Sequence, residues 1–271
     1  MRELRSEEPR LFLDRWTWAR VASRPSVLPK LVLFDMDDTV FDHTLTCRAA
    51  LQKVRSEEPG LSARSLDELW TEYLRLLDRQ SPEISAAPSE YARFRAERFR
   101  QLALLCGWEI APSLAMEISL RYRKNYQRMR RAVPGAPEFV RRIASRARVG
   151  MVTNNEYREQ AEKLRFLGLE DVVDPLVVSA KERVAKPDPR IYEIALERGG
   201  ARASEAVMVG DSWRNDVLGA KASGIRPVWF NRFGQPRPSR HTTAEIRSFR
   251  PFHPAERALR ADRPRTRVPR R

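Results

Sequence analysis

Leu31-Val32-Leu33-Phe34-Asp35-Met36-Asp37-Asp38-Thr39 is the stretch on which the reading of the fold turns. Four apolar residues without alternation, followed at once by acids, fit a strand buried on both faces of a parallel sheet and ending in a polar turn. In extended backbone, residues i and i+2 point the same way, so the carboxylates of Asp35 and Asp37 can converge on one reacting centre. Taken alone, the run is better read as a solvated turn with helix-cap residues. Its meaning depends on what lies further along the chain.

Three more short apolar runs follow: Val149 to Val152, Leu176 to Val178 and Ala206 to Val209. Helical patterns lie between and after them, at Ala136 to Arg146, Tyr157 to Leu167, Pro189 to Arg198 and Asn215 to Ala222. Strand alternating with helix predicts an α/β fold, a doubly wound parallel-sheet, Rossmann-like core. A last short strand is expected around Ala244 to Phe249. Between about 44 and 131 the rhythm breaks: no strand is evident, and Leu66, Leu69, Trp70, Tyr73, Leu74 and Leu77 have helical spacing. The expected organisation is an N-terminal extension (1–29), an α/β core (30–43 and 132–250), an inserted all-helical domain (44–131) and a basic tail (251–271) too poor in apolar residues to order.

Each apolar run ends in polar residues of a useful kind, where open α/β sheets place their ligand crevice. The second ends in Thr153-Asn154, the third leads to Lys186-Pro187, and the fourth ends in Gly210-Asp211-Ser212-Trp213-Arg214-Asn215-Asp216. Gathering Asp35, Asp37, Asp211 and Asp216 at one place raises carboxyl pKa values unless a cation balances them. A hard divalent ion such as Mg²⁺ fits that need, and Thr153 and Lys186 would offer a donor and a positive charge to phosphoryl oxygens.

The order Asp35-x-Asp37-x-Thr39, Thr153, Lys186-Pro187 and Gly210-Asp211-x-x-x-Asn215-Asp216 resembles the four motifs of the haloacid dehalogenase superfamily of hydrolases, over roughly residues 31 to 234. The helical insertion looks like that family's cap. The resemblance implies a phosphatase of small phosphorylated metabolites, in which Asp35 attacks phosphorus and Asp37 carries the proton. Thr153, Asn154 and Lys186 would hold the phosphoryl group. Mg²⁺ would sit on Asp35, Asp211 and the backbone carbonyl of Asp37, with Asp216 orienting its water. Asp37 argues for phosphate esters, since the family's dehalogenases lack the second acid; a phosphomutase keeps it and stays an alternative. Asp35-Met36-Asp37-Asp38-Thr39, Val152-Thr153-Asn154 and Trp229-Phe230-Asn231 look most similar to the branch with nucleoside 5′-monophosphate phosphatases, although Asn155 stands where many members have Gly.

The formal charge of +15 sits mostly at the ends. Residues 226–271 carry thirteen Arg against three acids and residues 1–30 seven basic residues against four acids, so the body is nearly neutral. A nucleic-acid partner is therefore the lesser expectation, confined to a tail whose Arg alternate with Pro. A non-catalytic scaffold acting through that tail is the competing reading. Cys47 and Cys106 lack any disulfide or zinc spacing, and His43, His241 and His253 are given no role. No apolar run is long enough to span a membrane, and cytosol is the default expectation. Residues 11 to 21 have the pattern of a short amphipathic helix. Within the insertion, Trp70, Tyr91, Phe94, Trp108 and Tyr122 are expected in its core and Arg93 on a solvated face.

Overall fold

The computed structural model of the chain describes residues 28–86, 90–238 and 243–260. The amphipathic pattern at 11 to 21, His241 and the last stretch of the tail lie outside the described residues. Six parallel strands form one sheet: β1 (Leu31–Phe34), β2 (Arg148–Thr153), β3 (Leu176–Val178), β4 (Ala206–Gly210), β5 (Arg226–Phe230) and β6 (Ala244–Ile246). Their order is β3-β2-β1-β4-β5-β6. The chain thus works outward from β1 in one direction and returns to its other side with β4. That reversal between β1 and β4 is a topological switch point, where neighbouring loops diverge and leave a crevice at the carboxyl ends of the strands.

β1 is fully buried because both faces are covered. Val32 and Phe34 face a layer that includes Phe139 and Phe249, whose rings lie 6.3 and 6.5 Å from that of Phe34. Leu31 and Leu33 face the opposite layer, with Ile191, Tyr192 and Ala220. This period-two division explains why the run is apolar without alternation. The core helices are α5 (Ala136–Ala144), α6 (Tyr157–Phe166), the short α7 (Ser179–Glu182), α8 (Pro189–Gly199) and α9 (Gly219–Ala222). A wider, π-helical turn at Trp213–Leu218 leads into α9.

Between β1 and β2 the chain is helical: α1 (His43–Glu57), α2 (Leu66–Ala86), α3 (Tyr91–Leu105) and α4 (Pro112–Arg128). Leu69, Tyr73, Phe99, Leu102, Ile118 and Tyr122 form its interior. Trp70 stacks on Tyr73, while Arg93 stays exposed and pairs with Glu90. The two passages of chain into and out of this bundle run side by side: Val133 N–H donates to Val40 O (2.9 Å) and Asp42 N–H to Arg131 O (3.0 Å).

Two features differ from the sequence reading. β5 begins Arg226-Pro227 and offers only Val228, Trp229 and Phe230 as apolar signal, too few to stand out beside longer runs. The tail, expected to be without structure from 251, carries a helix, α10 (Phe252–Leu259). Ala255 and Leu259 are buried, Glu256 pairs with Arg142 and Arg146 beside α5, and Arg226 donates to the carbonyls of Ala258 and Leu259. Composition averaged over an Arg-rich segment hides one short apolar face. Among the described residues, no helix is long and apolar enough to cross a membrane.

Candidate active site

The sheet order brings together residues that are far apart in sequence. Asp35 follows β1 and its N–H continues the ladder to Val209 O (2.8 Å). Asp211 follows β4, directly across the switch point. Asp35, Asp211 and Asp216 each offer one carboxylate oxygen, and the three oxygens lie within 4.8 Å of one another. Lys186 Nζ donates to Asp35 Oδ1 and to Asp216 Oδ1, each at 2.6 Å, and is itself buried. The second oxygen of Asp216 accepts from Ser212 N–H at 2.9 Å. Gly210 is needed here, since a Cβ at that position would meet Asp216 Cγ at 2.3 Å. The side chain sits where only a hydrogen leaves room.

Charge at this centre is unbalanced. Burial raises the Asp35 carboxyl from its ordinary 3.8 to about 7, against the pull of Lys186 and with the help of Asp216. Burial, and then the neighbouring Asp35 and Asp216, push Asp211 well above the usual carboxylate range. Burial opposes the charge on Lys186, but Asp216 and Asp35 more than offset it and raise its pKa. One ammonium thus faces two buried carboxylates and a third, Asp211, that is half-buried. An all-oxygen donor set with surplus negative charge suits a hard divalent cation.

The pH dependence follows from these directions. A carboxyl raised in the folded state contributes stability that is fully present below the unfolded value, and this is lost as pH rises through the folded value. For Asp35 the window runs from about 4 to about 7. Metal-free protein is expected to melt lower at pH 8 than at pH 5.5, with a slope on the order of 1 kcal/mol per pH unit per group. Mg²⁺ should raise the melting temperature more at pH 8. Calorimetry with EDTA and with Mg²⁺ checks this; a Mg²⁺ stabilisation that is larger at pH 5.5 would contradict it.

Asp37 faces different partners. Its carboxylate accepts from Lys163 Nζ (2.7 Å), Gln160 Nε2 (2.9 Å) and Asn155 Nδ2 (3.3 Å), and His43 Nδ1 lies 3.7 Å away. Burial alone would raise its pKa. The Lys163 and His43 charges, with the hydrogen bonds from Lys163 and Gln160, outweigh burial and hold the group well below the usual range. In this arrangement Asp37 is held ionised; to give a proton it must first be protonated and loosen from Lys163.

Sequence reasoning missed Lys163, Gln160 and Asn155, and gave His43 no role. A signal was present: Gln160, Lys163, Leu164 and Leu167 occupy i, i+3, i+4 and i+7, the spacing of an inward face, with two polar members. A buried Lys requires an acid partner, but the sequence does not say which acid. Lys163 also pairs with Glu159 at 3.1 Å.

Other candidates fall as follows. Thr153 ends β2 and is buried. The side chain of Asn154 is not aimed at a phosphoryl group. It clamps Lys186 reciprocally, Nδ2 donating to Lys186 O (2.9 Å) and Oδ1 accepting from Lys186 N–H (2.8 Å), so any contact from Asn154 would come through its backbone N–H. Thr39 Oγ1 accepts from Asp211 N–H (3.1 Å), and Trp229 Nε1 donates to Asp211 O (2.8 Å), so both fix the loop after β4. Asp38 takes up left-handed backbone (φ 60°) and turns away from the centre to accept from Thr44 N–H and Oγ1. Arg232, from the loop after β5, binds Asp42 at 2.6 Å, next to Asp38.

Comparison with known proteins agrees with this architecture. Residues 29–224 match the haloacid dehalogenase-like hydrolase family, and the chain belongs to it. Phosphoserine phosphatase of Thermus thermophilus is 30% identical over 233 residues, spanning 75% of this chain and 89% of that one. A glyceraldehyde 3-phosphate phosphatase of Pyrococcus abyssi is 29% identical over 206 residues, 74% of this chain and 81% of that one. Among solved structures, the putative hydrolase YfnB of Bacillus subtilis, bound to magnesium, superposes with a TM-score of 0.66 at 22% identity, covering 82% of this chain and 95% of that one. At that identity it shares the fold.

Proposed function

We propose that this hydrolase is a Mg²⁺-dependent phosphatase of small phosphomonoesters, acting through an aspartyl phosphate on Asp35. The observation that carries the proposal is Lys186 bridging Asp35 and Asp216 at a centre that still holds surplus negative charge. Phosphatase relatives that the chain matches along most of its length support the substrate class.

An Asp35 oxygen attacks phosphorus and the ester P–O bond breaks, its electron pair leaving with the alcohol oxygen. Asp37, protonated at that stage, gives its proton to that oxygen. A water then loses a proton to Asp37 and attacks phosphorus, freeing Asp35 and inorganic phosphate. The ion pair with Lys163 favours the ionised Asp37 that this second step needs. Thr153, Lys186 and the backbone of Asn154 hold the phosphoryl oxygens. Mg²⁺ held by Asp35, Asp211 and the Asp37 carbonyl, with Asp216 orienting its water, would draw charge from the phosphoryl group. The helical bundle between β1 and β2 acts as the cap that excludes water and receives the alcohol half.

Phosphate release from p-nitrophenyl phosphate and from a panel of nucleoside monophosphates, sugar phosphates and phosphoserine tests this reading. Turnover is expected with Mg²⁺ and is expected to fall at least ~100-fold in EDTA. Silence across the whole panel with Mg²⁺ present would refute it.

A further inference from the structure

The interior of the helical bundle holds a positive charge that nothing in the proposed chemistry uses. Arg95 is 6% exposed and Arg98 is completely buried, both on α3. Among the described residues, Arg95 Nε and the three guanidinium nitrogens of Arg98 make no hydrogen bond of good geometry, although Tyr91 lies close to Arg98. Among the described residues no acid comes within ion-pair distance of Arg95, Arg98 or Arg123. Their partners are ring faces: Tyr91 lies 5.2 Å from Arg95, and Tyr73 and Tyr91 lie 5.2 and 5.7 Å from Arg98. Cation–π contact offsets only part of the cost of burying an ion. Such a charge is retained where a ligand completes it.

Arg95 and the tyrosines around it meet a small pocket, with a cavity volume of about 30 Å³, that is partly open to solvent. Arg95, Arg123, Tyr73 and Tyr91 line one part of its wall, and His43 and Glu159 line another. His43 lies beside Asp37, and Glu159 binds the Lys163 that holds Asp37. The pocket therefore reaches from residues that touch the proposed proton carrier and its lysine to the arginines of the bundle. Glu159 and Asp37 share Lys163, with His43 beside Asp37, so the acids on this side already have basic neighbours of their own apart from the arginines.

We infer that the alcohol half of the substrate carries a second compact anionic group, a carboxylate or a phosphate, bound in the bundle by Arg95 and Arg123 with Arg98 reinforcing the positive field from behind. This rests on the phosphatase reading and narrows its substrate class.

Matched substrates that differ only in that group test it on the full chain with Mg²⁺. O-phosphoserine against O-phosphoethanolamine forms the carboxylate arm, and ribulose 1,5-bisphosphate against ribulose 5-phosphate the phosphate arm. In at least one arm, kcat/KM is expected to favour the doubly anionic member at least ~10-fold, mainly through KM. In Arg95→Gln that ratio should collapse toward one, and Arg95→Lys should restore part of it. Arg93→Gln, on the exposed side of the same helix, should keep the ratio. Turnover of p-nitrophenyl phosphate separates the two readings. If that ester is hydrolysed while both wild-type ratios lie near one, or if Arg95→Gln keeps a high ratio with an unchanged melting temperature, the second anion site is refuted and the phosphatase reading stands. If no ester is hydrolysed, both fall.

Discussion

Asp35→Asn is expected to lower phosphate release by at least ~10³-fold, because the amide cannot attack phosphorus and nothing else in the centre replaces the nucleophile. The same substitution should leave the metal-free protein as stable as the parent at pH 8, or more so. Its carboxyl is raised to about 7 by burial, so at pH 8 the folded state carries a charge it would shed if it could. Lys186 keeps Asp216 as a partner at 2.6 Å when Asp35 loses its charge. If Mg²⁺ binds the folded site as proposed, its stabilisation should shrink in the variant. Steady-state assays and melting curves with and without Mg²⁺ read all three effects. Turnover within tenfold of the parent would exclude Asp35 as nucleophile.

Lys186→Met is expected to act in the opposite sense on stability. It removes the ammonium from between Asp35 and Asp216 and leaves these two buried carboxylates, with the half-buried Asp211, facing one another. Removing one partner of a buried ion pair costs about 3–5 kcal/mol, which for a chain of this size corresponds to a fall in melting temperature on the order of 10 °C. The loss should be greater at pH 8 than at pH 5.5, since protonation relieves the repulsion. Mg²⁺ should recover part of it. Adding Asp216→Asn to Lys186→Met should also recover stability, because one of the uncompensated charges is gone, and the double-mutant cycle measures their coupling. Activity should drop ~10²–10³-fold through loss of a donor to the phosphoryl group. A melting temperature within 2 °C of the parent in EDTA at pH 8 would show that Lys186 does not hold this charge cluster together.

Much of this centre was legible in the chain because it is local in nature. A strand buried on both faces must be apolar throughout, so Leu31 to Phe34 announces itself, and the first polar residue after it must lie at the strand's carboxyl end. The same logic places Thr153, Asp211 and the helical bundle. Where the signal is an average over neighbours it fails, as it did for β5, with its Arg226-Pro227 start, and for α10, whose apolar face is diluted by the Arg of the tail.

Asp35, Asp37, Thr153, Asp211 and Asp216 could be read from the chain as polar groups clustered after parallel strands, with Lys186 further along, but Lys163 and Gln160 could not. How these groups are paired came from the packing of the elements. The order β3-β2-β1-β4-β5-β6 brings Asp211 against Asp35 and Lys186 between Asp35 and Asp216. It lets α6 present Lys163 and Gln160 to Asp37 and turns Asn154 inward to clamp Lys186, while among the described residues no acid pairs with Arg95 or Arg98 inside the bundle. The physical reason is that hydrophobic periodicity is written residue by residue, whereas the partner of a buried charge is set by which elements pack together, over separations such as the 126 positions between Asp37 and Lys163.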